Sequence, residues 1–284
     1  MTKLPTKRKY AHASTATIQD FLSLISAIHL SSYVDSPFKD RGGLMIVGPP
    51  GALKTTCVDF LDNSFSDALI LSDINVQSLT KIKQRIAGNT IRSLVLPELG
   101  KIYERHPQVS ANVEGTLRAF AGEGFSAASF EDATIQRSKA RVTVIGAMTN
   151  SLQEKYATRC EDSGFSRRFL WALVSLQNPS ALDRAVIDGR LLDIAVTEAP
   201  RVPAGGVIPN YSTRDERAAI AGWCKYQPTP HTVQISVLIK AWCVMKWWAR
   251  QQRRSDLVVW KTLHRISAAF GRNGVELILE ENAK

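Results

Sequence analysis

Apolar positions along the chain recur with two spacings, one typical of helices and the other of buried strands. Over residues 17–28 they return every three or four positions, which predicts an amphipathic helix. Five short runs are almost wholly apolar, as expected for strands covered on both faces of a parallel sheet. These runs lie at residues 44–47, 68–72, 91–96, 142–147 and 169–174. Helical spacing separates them at 56–61, at 76–86 and around 113–120.

Strands that alternate with helices predict a three-layer α/β domain built on a parallel sheet. A β-hairpin is expected over residues 125–141. After residue 178 the pattern changes, because residues 197–213 are rich in Pro and Gly and resemble a linker. Three helical segments follow. We therefore expect four parts: a flexible basic arm at 1–16, an α/β core at 17–178, a linker at 179–212 and a helical C-terminal domain at 213–284.

A glycine-bounded turn separates the first apolar run from a helical segment. Strand, glycine-rich turn, Lys-Thr and helix together predict a phosphate-binding loop, whose main-chain N–H groups attract phosphate oxygens. Lys54 would reach the β- and γ-phosphates, and the Thr55 hydroxyl would hold Mg²⁺. The alternative is an ordinary strand–helix turn. The predicted nucleotide-binding residues are Gly48, Pro49, Pro50, Gly51, Ala52, Leu53, Lys54, Thr55 and Thr56.

Two further apolar runs end in polar side chains that suit nucleotide chemistry. Glu98 follows the 91–96 run and Pro97, where an acid would hold the Mg²⁺ shell or deprotonate the attacking water. The alternative for Glu98 is a solvated loop glutamate. Asn150 follows the 142–147 run, where it could position water or, with Thr149, cap a helix.

Two adjacent arginines, Arg167 and Arg168, stand just before the last apolar run. Buried cations are costly unless they meet an anion. One interpretation is an arginine finger that reaches the γ-phosphate on a neighbouring subunit. The other is a surface ion pair.

The composition adds a partner to this picture. The chain has 284 residues, 44% of them hydrophobic, and a formal net charge of +10, which favours nucleic acid over a basic surface without a dedicated ligand. The bases are concentrated near the C-terminus and on the predicted hairpin. The candidate nucleic-acid contacts are Arg137, Lys139, Arg141, Lys246, Arg250, Arg253 and Arg254. Residues 240–254 also contain Trp242, Trp247 and Trp248 at helical spacing, and these are expected to be core residues.

The four cysteines are widely spaced and form no C-x-x-C pair, so neither a zinc site nor a disulfide scaffold is indicated. The basic N-terminus lacks a following apolar segment, which argues against a signal peptide. No apolar run is long enough to span a bilayer. We expect a reduced, cytoplasmic setting without a membrane partner.

The order of these features resembles AAA+ ATPases, and within them the minichromosome-maintenance-like helicase branch and related ATPases of phages and mobile elements. Three short motifs carry the resemblance. That branch has a non-glycine residue before the loop lysine, where this chain has Leu53. Its acidic motif Asp-Glu-Phe-Asp-Lys corresponds to residues 97–101, Pro-Glu-Leu-Gly-Lys, and its Ser-Arg-Phe finger motif to 166–169, Ser-Arg-Arg-Phe.

The resemblance implies a P-loop NTPase, AAA+-like three-layer sandwich followed by a smaller helical lid. It also implies an ATPase that uses ATP and Mg²⁺, with Glu98, Asn150, Arg167 and Arg168 as catalytic residues, and with Thr55 and Glu98 at the metal. Pro97 replaces the aspartate of the acidic motif. If Glu98 takes the metal role, the base is missing or lies elsewhere, for instance at Glu123. If Glu98 is the base, Thr55 and the phosphates hold the metal. Arg265 is a candidate for the lid arginine.

The expected function is ATP-driven work on DNA, as a motor, helicase or loader in replication or recombination for a phage or mobile element. The expected assembly is a head-to-tail homo-oligomer, a ring or helical filament with six subunits as the expected ring size. Two alternatives stay open. One is a non-hydrolysing, nucleotide-gated DNA-binding or scaffold protein, which Pro97 suggests. The other is a RecA-like or packaging-type ATPase.

Overall fold

A sheet of seven parallel strands forms the centre of the molecule, seen in a computed structural model that describes residues 14–37, 40–52, 54–72, 75–124, 140–176, 206–271 and 274–278. The strand order is β1-β7-β6-β2-β5-β4-β3, and each neighbouring pair is parallel. The strands are β1 Ser14–Thr17, β2 Gly43–Gly48, β3 Ala68–Ile70, β4 Ser93–Leu96, β5 Thr143–Thr149, β6 Leu170–Leu176 and β7 Val275–Ile278.

Helices cover both faces of this sheet, which gives three layers. They are α1 Ile18–Leu30, α2 Lys54–Ser64, α3 Val76–Lys81, α4 Lys83–Ala87, α5 Pro107–Arg118, α6 Asn150–Asp162, α7 Arg214–Cys224, α8 Thr232–Gln251 and α9 Asp256–Ser267. Alternate residues of β2 enter different cores. Leu44 and Ile46 pack with α1, α2 and α8, whereas Met45 and Val47 pack with α5 and the segment before it. This two-sided burial explains the apolar runs in the sequence.

The strand order explains how the predicted site residues are distributed. Strand β5 lies between β2 and β4, so the residues that follow β2, β4 and β5 meet along one edge of the sheet. We call this the carboxyl edge, and the opposite one the amino edge. The predicted α/β fold with a parallel sheet is confirmed, and a turn followed by a helix comes after the strand of the first apolar run, as expected.

The C-terminal part is helical, as expected, and α8 packs directly on α1. Its residues Val237, Ala241 and Trp242 belong to the same hydrophobic core as β2 and β6. The chain then returns to the sheet as β7, which pairs with β6 on one side and β1 on the other. These helices therefore complete one of the two outer layers.

Several elements differ from the sequence-based expectation. The predicted helix over 76–86 is divided into α3 and α4. Strands β1 and β7 were not predicted, and β1 takes in residues 14–16 of the expected basic arm. The rest of that arm, the linker up to residue 205 and the hairpin up to residue 139 lie outside the described residues. Within the described residues, no helix is long and apolar enough to cross a membrane.

Candidate nucleotide-binding site

The turn after β2 is tight and depends on glycine at two positions. A Cβ atom on Gly48 would lie 2.3 Å from the carbonyl oxygen of Val174, so no larger residue fits there without a shift of the backbone. Gly51 has φ of +78°, a conformation that residues with side chains rarely adopt. The turn closes through a 3.2 Å hydrogen bond from the Ala52 N–H to the Pro49 carbonyl oxygen. Both glycines are therefore needed for the shape of the loop.

Lys54 begins α2 and lies folded against this loop. Its Nζ donates to the Pro49 carbonyl oxygen at 2.6 Å, and the residue is 9% exposed. Burial lowers the pKa of the Lys54 ammonium. Thr55 and Thr56 are exposed in the first turn of α2, where N–H groups and the helix dipole attract anions. Leu53 lies outside the described residues.

Glu98 lies at the carboxyl edge, just past β4, as predicted. Its carboxylate is 52% exposed and forms an ion pair with Lys101 three residues later. The side chain of the preceding residue, Pro97, offers no ligand atom. The Glu98 carboxylate and the Thr55 hydroxyl are oxygen donors of the kind that Mg²⁺ prefers. Among the described residues no cluster of three His, Cys, Asp or Glu could hold a metal, so phosphate and water would have to supply the other ligands.

The tip of β5 lies directly beside the phosphate loop. Thr149 pairs with Gly48 in the sheet register, which brings the start of α6 next to the loop. Thr149 is the helix cap, because its hydroxyl accepts from the Leu152 N–H at 3.4 Å. Asn150 is the first residue of α6 and is half-buried. The helix cap predicted for this tip is therefore Thr149, and Asn150 is the residue left as the candidate for positioning water.

The two predicted finger residues lie at the other edge of the sheet. Arg167 and Arg168 form a short 3-10 turn immediately before β6, whose Leu170 pairs with Leu44 near the start of β2. The phosphate loop follows the end of β2, about 15–20 Å away at roughly 3.3 Å per residue. Neither arginine belongs to the edge that carries this chain's own loop.

The two arginines differ in their surroundings. Arg168 Nη2 lies 3.3 Å from Glu123 Oε1, and its side chain lies across Gly122, where a Cβ would be 2.9 Å from Arg168 Cδ. Arg167 is exposed. Burial and both arginines lower the pKa of nearby His231. Glu123 lies at the amino edge, so it is not placed to act as a base for this chain's loop.

The 3-10 turn of the two arginines is held by polar contacts that the sequence analysis missed. Gln234 of α8 is fully buried and donates from Nε2 to the carbonyl oxygens of Ser166 and Phe169, at 3.1 and 3.0 Å. Trp171 Nε1 also donates to the Ser166 carbonyl oxygen at 3.0 Å. The only sequence signal for Gln234 is its spacing three residues after His231, typical of a helix-capping pair.

Several predicted nucleic-acid contacts have other roles. Lys246 is buried and pairs with Glu216 at 2.9 Å and Asp256 at 3.4 Å, so it is not available to a phosphate. Arg250 is held by two hydrogen bonds to Asp256. The fully buried Trp242 confirms the core interpretation for that tryptophan.

The other predicted bases divide into three groups. Arg253 and Arg254 are exposed just after the end of α8. Arg141 donates to the Gly122 carbonyl oxygen at 2.7 Å. Arg137 and Lys139 lie outside the described residues.

Arg265, the candidate lid arginine, makes three hydrogen bonds to the Asp20 carboxylate.

Comparisons with known proteins find a resemblance among solved structures. No protein-family model matches the chain, and no curated protein matches it. A cryo-electron-microscopy structure of Hsp104 in a closed state, with ATPγS and FITC casein, resembles it with a TM-score of 0.36 and 17% sequence identity. The match covers 89% of this chain and 43% of the Hsp104 chain, so this chain spans less than half of that protein. The fold assignment rests on the chain's own strand order and register.

Proposed function

We propose that the chain is an AAA+-type ATPase that binds ATP with Mg²⁺ and acts on DNA as a head-to-tail oligomer. One observation carries the proposal: a glycine-shaped loop and a buried lysine lie at the same sheet edge as Glu98 and Asn150, while Arg167 and Arg168 lie at the opposite edge. A site completed by the arginines of another copy requires this division between two edges.

The residues at the carboxyl edge have complementary roles. Lys54 exchanges its Pro49 carbonyl partner for phosphate oxygens, which compensates the cost of burying the ammonium. Glu98 either accepts a proton from the attacking water or contributes to the metal site with Thr55. When bound, Mg²⁺ would neutralise charge on the phosphates. Lys101 must release Glu98 for either role, and Asn150 orients the water.

The amino edge supplies the arginines to the next copy. Arg167 is the better finger because it is exposed, whereas Arg168 is engaged by Glu123. Contacts between two different edges are heterologous and generate rings or open helices. A hexamer is the proposed ring. A RecA-like or packaging-type ATPase would use the same groups, and electron microscopy of the ATP-bound oligomer separates a ring from a filament.

Action on DNA is supported by the net charge of +10 and by the exposed pair Arg253 and Arg254. Phosphate contacts of this kind are sensitive to salt. The test is ATP turnover without nucleic acid, with single strands and with duplexes. Turnover that responds to none of them would contradict action on DNA.

A complementation assay tests the assignment of the two edges. Lys54→Ala removes the loop lysine but keeps the arginines, and Arg167→Ala does the reverse. Each variant alone should lose at least tenfold in turnover. An equimolar mixture should recover activity, because Arg167 of a Lys54→Ala subunit can complete the intact loop of a neighbouring Arg167→Ala subunit. A mixture no more active than its parts would contradict a finger acting between copies.

A second candidate is a non-hydrolysing, nucleotide-gated DNA-binding or scaffold protein. Two observations favour it: Pro97 stands where the acidic motif has an aspartate, and Glu98 is paired with Lys101. This candidate predicts ATP binding without release of phosphate. Measured phosphate release, with and without DNA, therefore separates the two.

A further inference from the structure

Three cations lie close together at the amino edge without an ion pair to a described carboxylate. Arg41 precedes β2, Arg141 precedes β5, and Lys240 projects from the middle of α8. The contacts that link them fall on two main-chain segments, residues 40–41 and residues 121–123. The N–H of Arg41 donates to the Ala121 carbonyl oxygen at 3.0 Å, and Arg141 Nε to that of Gly122 at 2.7 Å. Lys240 Nζ donates to the carbonyl oxygen of Asp40, the residue before Arg41.

The hydrogen bonds that these three side chains make to described residues all end on main-chain carbonyl oxygens. Arg41 donates to Ser32, Arg141 to Gly122 and Glu123, and Lys240 to Asp40. None of the three has an ion pair with a carboxylate among the described residues. The nearby acid Glu123 is instead engaged by Arg118 and Arg168. Carbonyl dipoles satisfy hydrogen-bond donors but leave a net positive charge in place.

Burial makes this arrangement costly. Lys240 is 4% exposed. Burial, with Arg41 and Arg141 nearby, lowers the pKa of Lys240 to about 8 despite the opposing effect of Asp40. Burial, with Arg92 and Arg141 nearby, lowers the pKa of Arg41 to about 10. An anion bound among these groups would favour their charged forms and offset their mutual repulsion.

The segment that the Arg41 main chain and the Arg141 side chain contact has an unusual backbone. Residues Ala119–Glu123 form a π-helical turn at the end of α5, and such turns are frequent at functional sites. Gly122 leaves room for Arg168, because any Cβ there would lie within 3.0 Å of the Arg168 side chain. A fourth cation is thereby kept beside the first three.

We propose that Arg41, Arg141 and Lys240 form a second phosphate-binding site, at the amino edge of the sheet and separate from the loop at Gly48. The ligand is a small phosphate dianion, either inorganic phosphate or the terminal phosphate of a nucleotide. The depth of Lys240 favours such an anion over a polynucleotide backbone. Lysine and arginine together can match its charge and its oxygen atoms.

The test uses Lys54→Ala as the background, so that the loop at the other edge does not contribute and failure of the proposed ATPase cannot be confused with failure of this site. Inorganic phosphate is titrated into this variant by calorimetry, with chloride at equal ionic strength as the reference. Arg141→Gln, added to the same background, should weaken phosphate binding at least tenfold. Arg214→Gln, at an exposed arginine of α7, is the matched control and should leave it unchanged.

A second readout does not depend on a variant at the site. A bound dianion stabilises the protonated form of Lys240, so phosphate binding near pH 8 should be accompanied by proton uptake, seen as a heat that varies with the buffer's ionisation enthalpy. ATP and an oligonucleotide, titrated in parallel, separate the sources of the phosphate. Saturable phosphate binding with proton uptake supports the site.

Three results would overturn the proposal. They are no phosphate binding to Lys54→Ala, equal binding after Arg141→Gln, and oligonucleotide binding that depends on Arg141 while inorganic phosphate does not bind. The last result would assign the cluster to a polynucleotide.

Discussion

Gln234→Leu tests the contacts that hold the arginine turn to the C-terminal helices. The Gln234 side chain is fully buried and makes three hydrogen bonds. Nε2 donates to Ser166 at 3.1 Å and Phe169 at 3.0 Å, and Oε1 accepts from the His231 N–H at 2.8 Å. Leucine has nearly the same volume, so the change removes the hydrogen bonds with little effect on packing.

The magnitude follows from these three bonds. A typical hydrogen bond contributes about 1 kcal/mol net, and a buried group left without a partner costs about 1–3 kcal/mol. The gain from burying leucine offsets part of this, so we expect a loss of about 3 kcal/mol in the free energy of unfolding. For a chain of this size that corresponds to a fall of about 6–12 °C in melting temperature.

Urea unfolding measures this loss, with Gln251→Leu as the matched control. Gln251 ends the same helix and is exposed, so its replacement should change stability by less than about 0.5 kcal/mol. The m-value should be unchanged in both variants. A loss below about 1 kcal/mol for Gln234→Leu, with the fold intact, would refute the inference that these bonds fix the turn.

Two further predictions concern the phosphate loop and the buried lysine. Gly48→Ala should abolish nucleotide binding measured by calorimetric ATP titration, since its Cβ would lie 2.3 Å from the Val174 oxygen, and tight ATP binding by this variant would contradict the loop geometry. Gly115→Ala, which has open space around it in α5, should instead stabilise the protein by about 0.5–1 kcal/mol in urea unfolding. The pKa of Lys240 is about 8 in the native protein and 10.5 ordinarily, so between these pH values the unfolded chain binds a proton that the native protein lacks. Lys240 therefore contributes a rise in stability with pH across that window, of at most about 1.4 kcal/mol per pH unit. From pH 8 to pH 10 the free energy of unfolding in urea should rise less for Lys240→Met than for the native protein. Equal rises would show that burial does not lower the pKa of Lys240.

The sequence predicts the strand–loop–helix unit and most of the sheet for local physical reasons. A strand buried on both faces must be apolar throughout, and the turn after β2 needs glycine at two positions, so both features appear as short contiguous patterns. Placement of the site residues at two edges then follows from parallel strands. The residue after β4 and the residue before β6 must lie at opposite ends.

The unpredicted features depend on long-range partners. Strands β1 and β7 have four residues each, too few to carry a pattern, and they form because β7 pairs with β6 and β1 pairs with β7. Lys246 resembles a surface base in a basic helix, but Glu216, 30 positions earlier, enters the same buried contact. Nothing in the local sequence distinguishes it from the exposed Arg253. The local sequence likewise gives no sign that Arg168 pairs with the distant Glu123.

Binding of ATP to the native protein and to Lys54→Ala tests the central claim most directly. Lys54 is the one charged side chain folded onto the described part of the loop, through its hydrogen bond to Pro49. Lys261→Ala, at an exposed lysine of α9, is the control. By calorimetry, Lys54→Ala should weaken ATP binding at least tenfold, or about 1.4 kcal/mol, and Lys261→Ala should leave it unchanged. Equal affinity of the native protein and Lys54→Ala for ATP would contradict the assignment of this loop as the nucleotide site.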